Sequence, residues 1–344
     1  MNPMPLKRFA LLVPAVLRRH AREHLIAMQV RYVSGPRRIR LDRNEAAVTC
    51  VVKNGEFYLQ AFLHHYFEMG FRHVFLLDNG STDRTIAIAQ KHANVTVCRS
   101  PQPIDTHQRL FKRYLAQHSI EDGWCLDADI DEFFDYPGSN KVPLYRFLEY
   151  LNSQGYTAVL TQLLDMFSDK PLAQVSTNEN ETLAETYRFY DLAHIRRTGY
   201  QSSEIVAQYG ARNVISHPGT ALLWGGIRKR LWNNDCLLTK HSLFRTGSGV
   251  DTFPHVHFMN HARLADVSCL MRHYKLTRNA LAMAIQNREA FTSNYKSYSS
   301  CVNFLERHAA EGIKEATAER FTNAASLLEG DFLFASREYR ELIF

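Results

Sequence analysis

The sequence lacks the features typical of secreted, membrane-spanning or disulfide-stabilised proteins. Its 344 residues include only six cysteines, none of them in a Cys-x-x-Cys pair. Most of these cysteines fall in apolar runs, so we expect reduced thiols and a cytoplasmic protein, without a disulfide framework or a zinc site. No apolar run reaches the roughly 18 residues that a membrane span needs. No small-residue cleavage site follows the apolar pieces near the N-terminus, and there is no internal repeat.

Basic charge is scarce beyond residue 43. The whole chain has a formal net charge of +6, but residues 1–43 hold a net charge of +8 and the remainder a net charge of −2. A slightly acidic body and a basic leader without interleaved aromatic residues argue against a nucleic-acid binder. At helical spacing Leu17, Ala21, Leu25 and Met28 share one face. We therefore expect a leader helix that either packs on the body or lies on an anionic membrane surface.

Apolar runs alternate with amphipathic segments from residue 46 onward. Predicted strands cover 46–52, 73–77, 95–100, 123–130 and 155–167, and predicted helices separate the first four of them. This alternation predicts an α/β fold with a mostly parallel sheet covered by helices on both faces. We expect a basic helical extension over 1–43, a central α/β domain over 44–276 and a helical region over 277–344. Ligands of such sheets bind at the carboxyl ends of the strands.

Two acidic loops follow predicted strands. The stretch "HVFLLDNGSTDRT" places Asp78 and Asp83 after one strand, and "WCLDADIDEFFDY" places five carboxylates within nine residues after another. In extended chain Asp127, Asp129 and Asp131 would point to the same side. Such crowding of like charge needs a compensating cation, and carboxylate oxygens suit Mg²⁺ or Mn²⁺, ions that also hold substrate phosphates.

These motifs resemble those of a known enzyme family. The stretch "VVKNGEFYLQAFLHHYFEMGFRHVFLLDNGSTDRT" followed by "WCLDADIDEFF" is similar to the GT-A glycosyltransferases of the family 2-like group, in the bacterial branch related to glycosyltransferase family 92. The later "GGIRKRLW", "LLTKHSL" and "MRHYKL" resemble the same branch. The resemblance spans about residues 46–276. It implies a GT-A fold and a metal-dependent, inverting transfer of a hexosyl group from a nucleotide sugar, with a UDP-sugar favoured. A glycan or lipid-linked acceptor in surface polysaccharide synthesis is the implied partner.

The resemblance also assigns the acidic cluster to a metal site. The family's DxD pair falls on Asp129 and Asp131, and Asp127 creates a second, overlapping DxD, so which carboxylate binds the metal stays open. His273 in "MRHYKL" matches the family's strand histidine. It is either a third ligand to Mn²⁺ or Mg²⁺ or a structural histidine.

The first acidic loop would then bind the nucleotide. The resemblance places Asp78 near the base, Asp83 beside the loop or the sugar, and Asn54 and Glu56 among the nucleotide contacts. The family usually has Glu directly after Asn, whereas Gly55 intervenes here. This departure puts the contact of Glu56 in doubt.

Three cations and several carboxylates complete the predicted site. Arg228 and Arg230 follow a Gly-Gly pair, which suits a loop closing on a diphosphate as well as a solvated turn. Lys240 lies in an apolar run, where a partner is expected. An inverting transfer needs a carboxylate base, and the candidates are Asp165, Glu132, Asp169 and Asp251. His257 is the expected sugar-contacting histidine in "PHVHFMNHARL".

A second interpretation comes from a different functional class. The same pattern would suit a catalytically silent GT-A module that binds a nucleotide or glycan at a membrane surface. Metal-dependent hydrolysis of a nucleotide sugar distinguishes the two, because a silent module shows none.

Overall fold

A nine-stranded mixed sheet forms the centre of the molecule. The computed structural model describes residues 21–175, 182–280, 282, 303–304, 310, 312–313 and 316–344. The strands are β1 (Arg31–Ser34), β2 (Ile39–Arg40), β3 (Ala46–Val52), β4 (Val74–Asp78), β5 (Val95–Arg99), β6 (Ile120–Glu121), β7 (Trp124–Asp127), β8 (Glu132–Asp135), β9 (Ala158–Asp165), β10 (Phe189–Tyr190), β11 (Ile195–Gly199), β12 (Ala221–Gly225), β13 (Thr239–Arg245), β14 (Asp251–His255), β15 (Phe258–Asn260), β16 (Cys269–His273) and β17 (Glu319–Arg320). The order across the sheet is β1-β5-β4-β3-β7-β13-β9-β16-β8.

Six of these nine strands run in one direction. β3, β4, β5, β7, β9 and β16 share that direction, and β1, β8 and β13 run against it. The core residues of β3 and β4 are buried along their whole length, because helices cover both faces of a parallel sheet. The predicted α/β class with a mostly parallel sheet is confirmed. From β5 to β7 the chain order is doubly wound, as expected for a GT-A fold.

Helices flank the sheet. They are α1 (21–29), α2 (Glu56–Met69), α3 (Thr85–Ala89), α4 (Ile104–His118), α5 (Leu144–Ser153), α6 (Leu183–Thr186), α7 (Glu204–Tyr209), α8 (Ile227–Trp232) and α9 (Arg337–Ile343), with short 3-10 helices at Leu172–Gln174 and Ala324–Leu328. Gly70 ends α2 in the left-handed conformation (φ 102°), where an L side chain would be strained. No helix within the described ranges combines the length and apolar character that a membrane crossing requires.

Several local predictions need correction. The helix expected between the predicted strands 73–77 and 95–100 is limited to Thr85–Ala89, because the residues before it form a loop held by other contacts. The tail segment 317–330, expected to be helical, contains β17, which pairs with β10, and a 3-10 helix whose first turn is capped by Asn323. Residues 278–280 are helical as expected. Leu17, the rest of residues 1–20, Cys301 and most of 281–315 lie outside the described residues.

Candidate active site

Asp78 anchors the first acidic loop. It is the last residue of β4 and is fully buried. Its Oδ1 accepts a hydrogen bond from the backbone N–H of Ser81 (3.0 Å), and Oδ2 accepts from that of Gly80 (3.2 Å). Arg99, at the end of β5, contacts Oδ2 through Nε at 2.9 Å. These three donors to the Asp78 carboxylate thus fix the start of the loop.

A neighbouring loop is fastened to this one. The backbone N–H of Asn54 donates to Ser81 Oγ (2.9 Å), and Asn54 Oδ1 accepts from the N–H of Thr82 (2.8 Å). The N–H of Glu56 donates to Asp83 Oδ2 at 3.0 Å. The residues expected to bind a nucleotide therefore lie together at one edge of the sheet, and the contacts of Asn54, Glu56 and Asp83 hold the two loops together.

Gly55, which separates Asn54 from Glu56, lies where the backbone comes close to other side chains. A Cβ on this residue would lie 2.6 Å from Val52 Cγ2 and 3.1 Å from Ile130 Cγ1. Only glycine lets the backbone approach that closely. Ile130 belongs to the second acidic cluster, so Gly55 is the point where the two loops meet. The Glu56 side chain is partly exposed and pairs with Arg84 at 2.5 Å, which lowers the pKa of Glu56.

The second acidic cluster is a turn. β7 ends at Asp127, and the N–H of Glu132 donates to Asp129 O (2.9 Å) to close the turn before β8. The prediction that Asp127, Asp129 and Asp131 share one side of an extended chain is therefore wrong. Asp127 and Asp129 face a common lysine, whereas Asp131 faces a histidine.

Two buried lysines neutralise most of this cluster. Lys112, on α4 and 1% exposed, places Nζ 2.7 Å from Asp127 Oδ2 and 2.8 Å from Asp129 Oδ1. Lys240, on β13, places Nζ 2.9 Å from Asp129 Oδ2 and 2.5 Å from Glu132 Oε1. Both carboxylate oxygens of Asp129 thus contact ammonium groups. We call Lys112, Asp127, Asp129, Lys240 and Glu132 the lysine network.

These contacts change the expected roles of Asp129 and Asp127. Burial would raise the pKa of Asp129, but Lys112 and Lys240 hold it well below its usual range, so the carboxylate stays charged and occupied. Its predicted part as a metal ligand is disfavoured for that reason. Burial raises the pKa of Asp127 to about 6 despite Lys112. The buried Oδ1 of Asp127 has no hydrogen-bond partner among the described residues.

A second chain of contacts runs from Asp131 into the interior. His273 Nε2 lies 3.4 Å from Asp131 Oδ2, and His273 Nδ1 lies 2.6 Å from Asp165 Oδ1. Arg228 Nε contacts the other oxygen of Asp165 at 2.6 Å. Asp131 is 24% exposed, whereas Asp165 is 2% exposed. We call Asp131, His273, Asp165 and Arg228 the histidine chain.

The histidine chain has the donor set of a divalent-cation site. A metal-ligating histidine usually gives its second ring nitrogen to a carboxylate, which is the relation between His273 and Asp165. Asp131 supplies the hard oxygen that Mg²⁺ and Mn²⁺ prefer, and such ions commonly take one or two protein ligands beside phosphates and water. The residues present fit this kind of site. Within the described ranges, no group of three or more His, Cys, Asp or Glu residues is arranged to hold a metal by itself.

The carboxylates first considered for the base are occupied. Arg228 and His273 contact the two carboxylate oxygens of Asp165. Burial alone would raise the pKa of Asp165, but these two groups lower it to about 2. Glu132 Oε1 contacts Lys240, and Glu132 Oε2 accepts from the N–H of Asp129 at 3.0 Å. With their oxygens engaged in this way, both carboxylates are disfavoured as the base, and the two assignments stay untested predictions.

Two other carboxylates were open alternatives for the base. Asp251 is paired with Arg113 at 2.8 Å on the far side of α4. Asp169 is exposed, on the loop that leaves β9 four residues after Asp165. Of the four candidates Asp169 is the exposed one, and its role as the base stays a prediction.

The Gly-Gly pair before α8 has positive φ angles, 83° at Gly225 and 63° at Gly226. This geometry turns the chain so that Arg228 points inward to Asp165, with 7% of the residue exposed. Arg228 therefore belongs to the interior of the site. Arg230 is exposed on the same helix, where it can reach solvent-side ligands.

Sequence reasoning missed two cations. Lys112 sits on the buried face of α4, and Arg99 follows the third strand of the parallel half. The excess of carboxylates over assigned cations is the signal that could have revealed them, because buried charge requires a partner. His257 also lies near the lysine network. Burial and, to a smaller extent, the charge of Lys240 hold the pKa of His257 well below its usual range. The backbone oxygen of His257 accepts a hydrogen bond from His241 Nδ1.

Comparisons with known proteins return distant structural likenesses only. No family model and no curated protein matches the chain, so the resemblance to the family 92-related branch stays a prediction. A structure of residues 1–349 of S. aureus TarS matches with a TM-score of 0.36 and 13% identity, over 77% of this chain and 71% of that chain. A longer TarS structure matches with the same TM-score and identity, over 77% of this chain and 43% of that chain. The Pyrobaculum calidifontis mannosyltransferase PcManGT, solved with GDP-Man and Mn²⁺, has a TM-score of 0.32 at 11% identity over 88% and 79%. Likenesses with TM-scores this low assign no function to the chain.

Proposed function

We propose that the protein is a glycosyltransferase that moves a sugar from a nucleotide sugar to a hydroxyl group of a glycan or lipid-linked acceptor. The observation that carries the proposal is the histidine chain, which ends in a partly exposed Asp131 at the edge of the sheet where the Asp78 loop also lies. A diphosphate is the ligand chemistry that needs both a cation site and a braced loop with several backbone donors.

The two acidic regions would bind different parts of the nucleotide-sugar donor. The loop held by Asp78 and Asn54 would take the nucleoside end, because its shape is fixed by hydrogen bonds before a ligand arrives. Asp131 and His273 would hold Mn²⁺ or Mg²⁺ with the diphosphate. A divalent cation bound there supplies positive charge for the departing nucleoside diphosphate. Arg230, exposed on α8, would add charge from the solvent side.

The acceptor proton needs a base of its own. We propose Asp169, because it is exposed on the loop that follows β9, whereas both oxygens of Asp165 are engaged. The proton would pass from the acceptor hydroxyl to the Asp169 carboxylate while the acceptor oxygen attacks the anomeric carbon and the nucleoside diphosphate leaves. Attack from the face opposite the leaving group inverts the anomeric centre. A UDP-sugar donor and a cytoplasmic place of action are part of the same proposal.

Thermal shift with nucleotide sugars tests the donor site. We expect UDP-sugars, with GDP-sugars as the comparison, to raise the unfolding temperature in Mn²⁺ and to do so far less in EDTA. Asp131→Ala and His273→Ala should abolish the Mn²⁺-dependent part of the shift. Glu149→Ala, an exposed carboxylate on α5, is the matched control and should leave it unchanged. An equal Mn²⁺-dependent shift in wild type and Asp131→Ala would disprove the site.

Turnover separates the enzyme from a silent binding module. Mn²⁺-dependent release of nucleoside diphosphate by the wild type supports the enzyme. Asp169→Asn should retain the thermal shift and lose about 10²- to 10⁴-fold in kcat, the usual contribution of a general base. A full thermal shift with no turnover under any donor would instead assign the protein to the nucleotide- or glycan-binding alternative.

A further inference from the structure

Exposed apolar side chains gather at one end of the sheet. Three of the eight large apolar residues that the described ranges expose lie between residues 25 and 33: Leu25 at 51%, Met28 at 66% and Val33 at 41%. Single exposed apolar residues need no explanation, but a group of them on one segment marks a contact surface. The segment is α1 with the edge strand β1.

Helix α1 has two apolar faces. Ile26, 2% exposed, packs on the body. Glu23 contacts Arg113 of α4 at 2.7 Å, and Gln29 accepts a hydrogen bond from Gln102, in the loop before α4, at 2.7 Å. Leu25 and Met28, three residues apart, therefore lie on the side that faces away from these contacts. An ordinary surface helix has one apolar face and needs no second one.

The exposed charge on this segment has one sign. Every exposed charged side chain from residue 21 to residue 40 is an arginine, and Glu23 is occupied by Arg113. Arg37 lies over the ring of Tyr32 at 5.2 Å, and Tyr32 contacts Tyr114 of α4, so Arg37 is on the α4 side with α1. We name Leu25, Met28, Arg22 and Arg37 the leader surface. Exposed apolar side chains and arginines on the same segment match the chemistry of an anionic bilayer, with acyl chains below and negative headgroups above.

The leader surface adjoins the candidate site. Gln29, at the end of α1, bonds Gln102, and the backbone oxygen of Gln102 accepts from Asn79 Nδ2 at 2.6 Å. Asn79 directly follows Asp78. β1 also runs beside β5, with Arg31 opposite Arg99, which pairs with Asp78.

We propose that the leader surface docks the protein on an anionic lipid membrane, with the Asp78 edge of the sheet close to the bilayer. The docking does not depend on the proposed function, because lipid binding is measured without any nucleotide sugar. If both hold, an acceptor anchored in that membrane would meet the site directly.

Co-flotation of the full chain with vesicles tests the proposal. We expect the wild type to float with equimolar phosphatidylglycerol and phosphatidylcholine, to float poorly with phosphatidylcholine alone, and to be released as salt screens the charges. Leu25→Ser with Met28→Ser should weaken binding by about tenfold or more, since acyl-chain contacts are lost. Arg22→Gln and Arg37→Gln should each weaken it about fivefold.

Matched controls lie at the other end of the sheet. Tyr145 (53% exposed) and Leu342 (40% exposed) sit on α5 and α9, which pack near the opposite edge strand β8. Tyr145→Ser with Leu342→Ser, and Arg146→Gln with Arg337→Gln, should bind vesicles like the wild type.

Three results would overturn the proposal. The first is absence of flotation by the wild type, and the second is equal flotation by the Leu25→Ser/Met28→Ser variant. The third is a wild type that does not bind vesicles but forms a dimer, together with a Leu25→Ser/Met28→Ser variant that is a monomer. This result would assign the leader surface to contact with a second copy of the chain. Light scattering without lipid measures that state.

Discussion

Removal of the Lys112 ammonium should destabilise the fold more than any exposed charge substitution. Lys112 is 1% exposed, and its Nζ contacts Asp127 and Asp129 at 2.7 and 2.8 Å. At an effective dielectric constant near 20, each such contact is worth about 6 kcal/mol of Coulomb energy. Desolvation of the ions offsets much of this sum. What Lys112→Met leaves behind is two buried carboxylates without that cation, and breaking a buried pair typically costs about 3–5 kcal/mol.

A double-mutant cycle measures the interaction itself. Urea unfolding at neutral pH should show Lys112→Met less stable than the wild type by about 3–5 kcal/mol. Asp127→Asn added to it should recover at least about 2 kcal/mol, because the amide removes one uncompensated charge. Burial already raises the pKa of Asp127 to about 6, so this carboxylate is the easier one to neutralise. Lys91→Met, at an exposed position, is the control and should change stability by less than about 0.5 kcal/mol. A loss in Lys112→Met no larger than the control, or no recovery in the double variant, would refute the reasoning.

Two further substitutions test local geometry and pH dependence. Gly55→Ala should lose about 1–3 kcal/mol in urea unfolding, because its Cβ would meet Val52 Cγ2 at 2.6 Å; Val52→Ala should restore part of the loss, and Gly330→Ala, with open space around it, should be neutral. Equal effects at Gly55 and Gly330 would contradict the close approach. Burial lowers the pKa of His241 to about 4, so the stabilisation from keeping it neutral is complete above its unfolded pKa near 6.5 and is lost as pH falls toward 4. His241→Gln should therefore lose roughly 2–3 kcal/mol less stability than the wild type between pH 7 and pH 4.5; parallel stability–pH curves for the two proteins would contradict this assignment.

The parallel half of the sheet could be predicted because its strands are continuous apolar runs. Residues 46–52 and 74–78 are buried on both faces, so the chain there has no polar interruption. The alternating pattern did not predict β13 or β16, and a strand at His273 was implied only by the resemblance of "MRHYKL" to the family motif. Each carries a charged or titratable residue, Lys240 or His273, whose burial is possible only because a partner on another strand satisfies it.

The sequence could predict where the candidate site lies, but not which of its side chains contact one another. Strand ends locate Asp78 and the cluster at 127–132, since carboxyl ends of parallel strands share an edge. The pairing of Asp165 with Arg228 joins residues 63 positions apart, and it depends on the loop geometry at Gly225 and Gly226. The turn after Asp127 likewise depends on tertiary contacts. No local pattern encodes those distances.

The lysine network and the histidine chain meet at one turn, and this meeting connects stability to ligand binding. The N–H of Asp129 donates to Glu132 Oε2, Lys240 contacts both of these residues, and the backbone oxygen of Asp131 accepts from the N–H of Tyr274 at 2.8 Å, so the turn is fixed without the Asp131 carboxylate. Asp131 is then left with His273 as its near partner and with a quarter of its side chain toward solvent. A ligand can therefore engage Asp131 without breaking the buried lysine contacts. Because the lysine network sets where Asp131 lies, loss of Lys240 should weaken ligand binding as well as the fold, although its ammonium is too deeply buried to touch a ligand.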